Sequence, residues 1–261
     1  MRILFMGRKD VAARALRWLH ENGFDIAAVL TDSHLSGSPT TAVARSLGLR
    51  VMSLEEAREE IRTGELYFDL GVSVVYWRII PDDVIEAATL GVINFHPAPL
   101  PDYKGTAGYN VAILEGLDTW GVTAHYVDAG IDTGPIIEVD RFSIDVQRET
   151  AQSLEATSMM RMSEQFARII SATRARGARL ETTPNEGGTY ISRDEMEQMK
   201  VISPGDDLDR KIRAFWFPPY SGATVFVDGA PYTLVNQQIL EAIAAGAGGA
   251  STSLLSPVAD G

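Results

Sequence analysis

The chain of 261 residues carries 23 Lys and Arg against 35 Asp and Glu, a formal net charge of −12, and 45% of its residues are hydrophobic. This composition is that of a globular protein and excludes a disordered chain, and the acidic balance disfavours a nucleic-acid backbone as the main partner. The chain contains no cysteine, which excludes disulfides, thiol nucleophiles and cysteine-ligated metal centres.

The apolar segments are too short for a membrane protein. None approaches the roughly 18 consecutive apolar residues that a membrane-spanning helix requires. The first residues, Met1–Gly7, have neither the length nor the small-residue cleavage site of a signal peptide and instead predict a buried strand. We therefore expect a cytoplasmic protein with no membrane partner.

Short apolar runs alternate with amphipathic stretches over the first two-thirds of the chain. Several runs are continuous in Val, Ile and Leu, as in strands that are covered on both faces. Between them lie helical periods such as Val11–Glu21. The alternation predicts an α/β fold with a doubly wound, mostly parallel sheet, whose ligands usually bind beyond the carboxyl ends of the strands. The predicted strands are Arg2–Met6, Ile26–Thr31, Leu70–Val75, Val92–His96, Val122–Val127 and Pro135–Val139.

The last third of the chain does not continue the alternation of strands and helices. A long amphipathic helix is predicted over Thr150–Arg176, and a polar, turn-rich stretch follows it. A helix around Asp206–Ala214 and a hairpin that turns at Asp228-Gly229 come next. We expect a catalytic domain over residues 1–178, a small helix-plus-hairpin extension on the substrate side over 179–243, and a flexible Ala/Gly/Ser-rich tail over 244–261.

Phosphate-binding loops are missing from the sequence. The first predicted strand is followed by a single glycine, Gly7, where a dinucleotide site needs Gly-x-Gly-x-x-Gly, and no Gly-Lys-Ser/Thr run occurs. A dinucleotide-dependent oxidoreductase is therefore disfavoured despite the sheet pattern.

One strand end carries two groups that suit acid–base chemistry. The strand Val92–His96 ends in Asn94-Phe95-His96 and runs into Pro97. Because side chains repeat every two residues in a strand, Asn94 and His96 point to the same face, where open sheets place their sites. A polar pair that satisfies a strand terminus is an equally good explanation of these two residues alone. His20 and His34 lie in surface-type segments and are expected to be solvated.

A glycine-flanked loop carries the second candidate group. Asp128 and Asp132 lie between two apolar runs, in the segment Val127-Asp-Ala-Gly-Ile-Asp-Thr-Gly-Pro135. The glycines let such a loop fold tightly and bring a carboxylate back over the sheet. A single Asp in such a loop is more often a turn former, but next to an Asn-x-His strand end the catalytic interpretation gains weight.

Together these segments resemble the formyltransferases that use 10-formyltetrahydrofolate. Residues 94–105, Asn-Phe-His-Pro-Ala-Pro-Leu-Pro-Asp-Tyr-Lys-Gly, are similar to the family signature Asn-x-His-x-Ser-x-Leu-Pro-x-Tyr/Phe-Arg/Lys-Gly, from which Ala98 and Pro99 depart. The segments 122–137, 1–7 and 73–81 are similar to the family as well, so the resemblance covers about residues 1–180. It implies a Rossmann-like formyltransferase fold.

The resemblance also implies a catalytic triad of Asn94, His96 and Asp132. Asn94 and His96 would donate hydrogen bonds to the oxyanion that forms when an amine attacks the formyl group, and one such donor is commonly worth about 3 kcal/mol. His96 is the preferred base, since an ordinary imidazole pKa of about 6.5 suits neutral pH. Asp132 would fix the imidazole tautomer or relay the proton through water, and the sequence leaves open which group deprotonates the amine.

Further positions are implied to bind the two substrates, with no metal. For the folate they are Tyr76, Trp77, Arg78, Ile79, Asp128 and Ile131. For the acceptor they are Lys9, Tyr103, Lys104, Gly105, Tyr109, Tyr190, Arg213 and Trp216.

The acceptor amine is the open question. The segment 211–223 and the Gly-Thr-Tyr at 188–190 are similar to elements of sugar N-formyltransferases, which favours a nucleotide-linked amino sugar such as GDP-perosamine or a dTDP-amino-dideoxyhexose, used in lipopolysaccharide O-antigen synthesis. Methionyl-tRNA and glycinamide-ribonucleotide formyltransferases, a formyltetrahydrofolate hydrolase and a non-catalytic binding module are the alternatives. The short chain after Ser203 and the −12 charge speak against tRNA.

A homodimer is also possible. The run Phe215-Trp216-Phe217 is consistent either with an apolar subunit surface or with core packing.

Overall fold

The computed structural model describes residues 1–106 and 108–247. Most of them form a seven-stranded sheet with helices on both faces. The strands are β1 Arg2–Gly7, β2 Asp25–Leu30, β3 Val51–Met52, β4 Leu70–Val74, β5 Val92–His96, β6 Tyr103–Gly105, β7 Thr119–Tyr126, β8 Ile136–Ser143, β9 Thr189–Ile191, β10 Thr224–Val227 and β11 Ala230–Thr233. The helices are α1 Lys9–Glu21, α2 Pro39–Ser46, α3 Leu54–Thr63, α4 Asp82–Ala87, α5 Gly108–Glu115, α6 Ala151–Arg176, α7 Arg193–Met199, α8 Leu208–Phe215 and α9 Gln237–Ala247.

The main sheet has the strand order β3-β2-β1-β4-β5-β7-β8. The first five strands in this order run parallel, and β7 is antiparallel to both of its neighbours. The predicted doubly wound, mostly parallel sheet is therefore confirmed. The strand order reverses between β1 and β4. In such sheets, ligands bind in the crevice at this reversal.

Alternation along β1 separates the two faces of the core. Ile3 and Phe5 point into a large cluster that also contains residues of α1, α5 and α6, whereas Leu4 and Met6 point into a second cluster with α3 and α4. All four side chains are fully buried. A strand covered on both faces needs apolar residues at every position, which is why β1 reads as a continuous apolar run.

The long helix α6 begins and ends where local chemistry favours it. Thr150 caps its first turn by accepting a hydrogen bond from the Ser153 N–H, and Gly177 follows its last turn with φ 61°. A hydroxyl N-cap and a left-handed glycine after the last turn are common at the two ends of a helix. The prediction over Thr150–Arg176 is confirmed to within one residue.

The C-terminal part is tied to the sheet domain along much of its length. β9 pairs with β6 in a two-stranded parallel sheet, and α8 packs against α5. The hairpin of β10 and β11 turns at Asp228-Gly229 as predicted. The helix predicted around Asp206–Ala214 begins instead at Leu208, since Asp207 is its N-cap and accepts a hydrogen bond from the Arg210 N–H.

Three expectations for this part need revision or remain open. The expected tail over 244–261 starts too early, because α9 continues to Ala247; the rest of that prediction lies outside the described residues. Phe215 does not offer a free subunit surface, since it is 1% exposed and belongs to the main core, while Trp216 and Phe217 are half-buried. The homodimer stays a prediction.

Candidate active site

Ser73, Asn94 and His125 form a row across three neighbouring strands. The strand register places Ser73 opposite Asn94 and Asn94 opposite His125, so the three side chains share one face of the sheet. The Ser73 hydroxyl donates to Asn94 Oδ1 at 2.8 Å, and Asn94 Nδ2 lies 3.1 Å from His125 Nε2. Since an amide nitrogen can only donate, His125 Nε2 accepts, and the proton of the neutral ring is on Nδ1, 2.8 Å from the Tyr126 carbonyl oxygen.

This chain of hydrogen bonds fixes the Asn94 amide from both ends. Its oxygen is held by Ser73, and one of its two amide hydrogens is given to His125. The second hydrogen is available to an oxygen atom in the site. Asn94 is therefore oriented as a hydrogen-bond donor before any ligand binds.

His96 lies two residues beyond Asn94 on the same face and is 6% exposed. Its Nε2 is 2.9 Å from the Tyr103 carbonyl oxygen, which can only accept, so Nε2 carries the proton. The basic nitrogen of the neutral ring is therefore Nδ1. It faces Asp132 Oδ1 at 3.5 Å.

Asp132 comes from the loop between β7 and β8. Its Oδ1 is 3.5 Å from His96 Nδ1 and 3.7 Å from His125 Nε2, and its Oδ2 accepts a hydrogen bond from the Gly105 N–H at 3.0 Å. The backbone of Asp132 is left-handed, with φ 52°. At Gly134 a Cβ would collide with the Tyr126 carbonyl oxygen, so the tight return of this loop requires glycine.

The buried pair is a neutral imidazole beside a carboxylate at neutral pH. Burial lowers the pKa of His96 below its usual 6.5, although the Asp132 charge and the Tyr103 carbonyl act in the opposite direction. Burial raises the pKa of Asp132, but His96, His125 and the Gly105 N–H outweigh it and lower the value to about 2. A proton that reaches His96 Nδ1 would form an ion pair with Asp132, which makes the pair a proton acceptor.

The predicted folate positions lie on two loops, one after β4 and one between β7 and β8, which also carries Asp132. Trp77, Ile79 and Ile131 are exposed by 40%, 69% and 45%. Tyr76 and Val127, at the bases of the two loops, pack against the same buried cluster. Burial raises the pKa of Tyr76 to about 12, so its hydroxyl stays protonated.

Two of the charged positions predicted for the folate already have protein partners. Arg78 forms an ion pair with Glu55. Asp128 accepts hydrogen bonds from the Gly130 N–H and the Thr133 hydroxyl, as a turn former does.

The predicted acceptor positions are spread around the same edge. Lys9 Nζ is 3.0 Å from Glu155 Oε1, and Lys104 Nζ donates to the Gly187 carbonyl at 2.7 Å. Tyr190 is 49% exposed. The Tyr109 ring packs against Trp120, and burial raises the pKa of its hydroxyl well above 10.

Two further positions predicted for the acceptor belong to the catalytic pair's surroundings. The Gly105 N–H holds Asp132, and the Tyr103 carbonyl holds His96. The Tyr103 hydroxyl donates to Glu115; burial, followed by this hydrogen bond, raises its pKa to about 12.

Arg213 is a correction to the predicted site, whereas Trp216 stays a prediction. Arg213 is 2% exposed, and its guanidinium donates to the Val146 and Glu149 carbonyls and pairs with Asp209. It holds the chain before α6 to α8 and is not available to a substrate. Trp216 packs against a small cluster of Ile212, Ala223 and Ile239 in the extension.

Sequence reasoning missed the roles of His125, Ser73 and Asn185. His125 and Ser73 are recognisable only from the register of neighbouring strands, which a single sequence does not give. Asn185 lies in the turn-rich stretch after α6, yet its Nδ2 donates to the carbonyls of Asp132 and Gly134 at 3.0 and 2.8 Å.

No group of three or more metal-ligating side chains occurs within residues 1–106 and 108–247. Over the same part of the chain, every helix is too short or too polar to cross a bilayer. The fold and this site define an α/β protein with an imidazole–carboxylate pair and an oriented amide donor on one face of its sheet, groups that can accept a proton and stabilise an oxyanion.

Comparisons with known proteins identify the family. The family model described as formyl transferase matches residues 1–170. A methionyl-tRNA formyltransferase of Afipia carboxidovorans is 32% identical over 248 residues, which span 88% of this chain and 78% of that protein. One from Neisseria meningitidis is 30% identical, with 100% of this chain and 87% of that protein covered. The chain belongs to the formyl transferase family.

Solved structures confirm the fold. The N-formyltransferase of Helicobacter canadensis, in complex with folinic acid and dTDP-3-aminofucose, has a TM-score of 0.72 at 24% identity and covers 87% of this chain and 84% of its own. A 4-N formyltransferase of Francisella tularensis has a TM-score of 0.74 at 18% identity, with 90% and 96% covered. The protein is therefore an N-formyltransferase by family and by fold.

Proposed function

We propose that this protein transfers the formyl group of 10-formyltetrahydrofolate to the amine of a nucleotide-linked amino sugar, such as GDP-perosamine or a dTDP-amino-dideoxyhexose, for a surface polysaccharide. The observation that carries the proposed chemistry is the buried network of Ser73, Asn94, His125, Asp132 and His96. It places an oriented amide donor next to a basic imidazole nitrogen and a carboxylate. Formyl transfer to an amine needs these three groups.

The acceptor amine attacks the formyl carbon of 10-formyltetrahydrofolate, and the transfer is complete when the bond from this carbon to N10 breaks and N10 takes up a proton. The free Asn94 amide hydrogen stabilises the negative charge that develops on the formyl oxygen. His96 Nδ1 takes the proton that the attacking amine must lose, and Asp132 stabilises the resulting imidazolium. Because neutral His96 carries its proton on Nε2, bound to Tyr103, it donates to the oxyanion from Nδ1 only once protonated.

The surroundings of the pair fit a planar, largely aromatic group. Two loops carry exposed apolar side chains, Trp77 and Ile79 after β4 and Ile131 one residue before Asp132. Such convergent apolar groups with a few fixed polar atoms are typical of cofactor pockets. These residues, with the backbone of the loops that carry them, would hold the pterin.

The charges around the edge favour a small anionic acceptor. The basic side chains are few and do not form a cluster of free charges. Lys9, Lys104 and Arg141 each contact an acidic or carbonyl group of the protein. A tRNA would need several phosphate contacts, and each would have to overcome a net charge of −12. A nucleoside diphosphate needs only one or two cations.

Methionyl-tRNA is the second candidate acceptor. It is favoured by the 30–32% identity to methionyl-tRNA formyltransferases over most of the chain. The two candidates share the chemistry of the network and differ only in what binds beside it, so the dependence of the reaction on the acceptor separates them.

The test is tetrahydrofolate release from 10-formyltetrahydrofolate with different acceptors. GDP-perosamine, dTDP-3-amino- and dTDP-4-amino-dideoxyhexoses, glycinamide ribonucleotide and methionyl-tRNA are compared with a reaction without acceptor. We expect release that depends on one of the nucleotide sugars, with a formylated sugar as the product. Faster tetrahydrofolate release with methionyl-tRNA than with any nucleotide sugar would contradict the proposed acceptor. Equal release with and without an acceptor would indicate a hydrolase.

A further inference from the structure

Residues 183–191, here called the bridging segment, cross from the loop of Asp132 to β6. At one end Thr183 and Ile136 exchange backbone hydrogen bonds of 2.8 and 2.9 Å. At the other end β9 pairs in parallel with β6, with Tyr103 opposite Thr189 and Gly105 opposite Ile191. The segment therefore joins the start of β8 to the strand that contacts both His96 and Asp132.

Asn185 connects the middle of the bridging segment to the catalytic loop. Its Nδ2 donates to the carbonyl oxygens of Asp132 and Gly134. Both partners can only accept, so the amide nitrogen must lie on this side and both of its hydrogens are used. The two bonds clamp the loop on either side of Thr133.

The loop conformation requires such a clamp. Asp132 is held at φ 52°, a region that costs free energy for a residue with a side chain, and Gly134 is packed against the Tyr126 backbone. The Oδ1 of Asn185 is buried and accepts no hydrogen bond within the described residues. The two donated bonds are therefore the side-chain hydrogen bonds by which Asn185 acts on the rest of the structure.

We infer that Asn185 is a positioning residue for formyl transfer: by fixing the backbone of the Asp132 loop, it keeps the Asp132 carboxylate next to His96. The inference rests on the proposed roles of His96 and Asp132. It also gives the C-terminal extension a task within the reaction centre, since the bridging segment supports the backbone of Asp132 and, through β6, the contacts of Gly105 and Tyr103. The carboxylate itself is untouched by Asn185, which acts only through the loop.

The test compares Asn185→Asp and Asn185→Ala with Asn22→Asp. Asn185→Asp keeps the shape but sets an oxygen against two carbonyl oxygens, whereas Asn185→Ala removes the clamp. Asn22 is a matched control, because its Nδ2 also donates to a backbone carbonyl, that of Trp18 at 2.8 Å, at the exposed end of α1. The readouts are kcat and the titration of the four histidines followed by NMR, with the His96 signal assigned from a His96→Asn sample.

Both Asn185 variants should lower kcat tenfold to a hundredfold, since a displacement of about 1 Å in a catalytic group costs that much. In Asn185→Ala the His96 titration should move to lower pH, because the Asp132 carboxylate that favours its protonated form has moved away, while His125 on β7 keeps its place. Asn185→Asp adds a carboxylate whose own charge favours protonated His96, so this variant is assessed by kcat. Asn22→Asp should behave as the wild type in both readouts.

Three results distinguish the inference from the proposed function. An unshifted His96 titration in Asn185→Ala overturns the inference, whatever happens to kcat. A shifted titration with kcat lowered supports it. A shifted titration with wild-type kcat supports the positioning of Asp132 and contradicts the catalytic roles proposed for His96 and Asp132. If Asn185→Ala does not fold, Asn185→Leu, which has a similar shape and adds no charge, gives the same readouts.

Discussion

Buried polar groups at the sheet edge and in the C-terminal extension are partnered in opposite ways. At the edge, Asn94 and His96 are fixed by neighbours, yet an amide hydrogen and the Nδ1 nitrogen remain for reactants. In the extension, Arg213 and Lys211 give their hydrogens to backbone carbonyls and to acidic side chains. In the first region the buried polar groups keep hydrogen-bonding capacity for the reactants. In the second region their hydrogen bonds hold loops together.

The largest expected effect comes from His96 at the edge. His96→Asn should lower turnover by several powers of ten, since it removes the base and, once protonated, a donor to the oxyanion. Nucleotide-sugar binding should change by no more than a few-fold. Steady-state kinetics and a binding titration test this, and turnover within tenfold of the wild type would remove His96 from the reaction.

Arg213 tests the other side of the comparison. Arg213→Ala should lower the free energy of unfolding by about 3 kcal/mol, because it leaves two buried carbonyls and Asp209 without their partner. The folded variant should keep its KM for the acceptor, and Arg213→Lys should recover part of the stability. Urea unfolding gives the energies. Wild-type stability with a tenfold higher acceptor KM would place Arg213 in the substrate site.

The smallest effect is expected from the exposed cations. At least one of Lys9→Ala and Lys104→Ala should raise the acceptor KM tenfold or more, about 1.4 kcal/mol, and leave the KM for the folate unchanged. Their ammonium groups contact Glu155 and the Gly187 carbonyl on the surface, so stability should change little. Wild-type acceptor kinetics in both variants would mean that neither lysine contacts the phosphates.

The strands that the sequence predicted are those with a local signal. Six predicted strands became β1, β2, β4, β5, β7 and β8, with ends shifted by a few residues. The strands β3, β6 and β9 have two or three residues each and were not predicted. Their pairing depends on segments far apart in the chain, and so few residues carry no period that could indicate it.

In the candidate site, too, the residues that were predicted are those with a local signal in the sequence. Asn94, His96 and Asp132 were predicted from two contiguous motifs, and the structure brings them together. Asn185 was missed because its partners are backbone carbonyls 51 and 53 residues away. Arg213 was assigned to the substrate because a sequence does not reveal whether a cation is already bound by carbonyl groups in the fold.

The central claim is that the carboxylate of Asp132 serves the proton acceptor His96, and the pH dependence of kcat in Asp132→Asn tests it most directly. We expect at least about a hundredfold loss of turnover, with folding and folate binding retained, since a neutral amide cannot stabilise an imidazolium. The Asp132 charge raises the pKa of His96 against the effect of burial, so its removal should lower that pKa further and move the acidic limb to lower pH. A variant that kept both the wild-type rate and the wild-type acidic limb would contradict the account and leave Asp132 as a loop former.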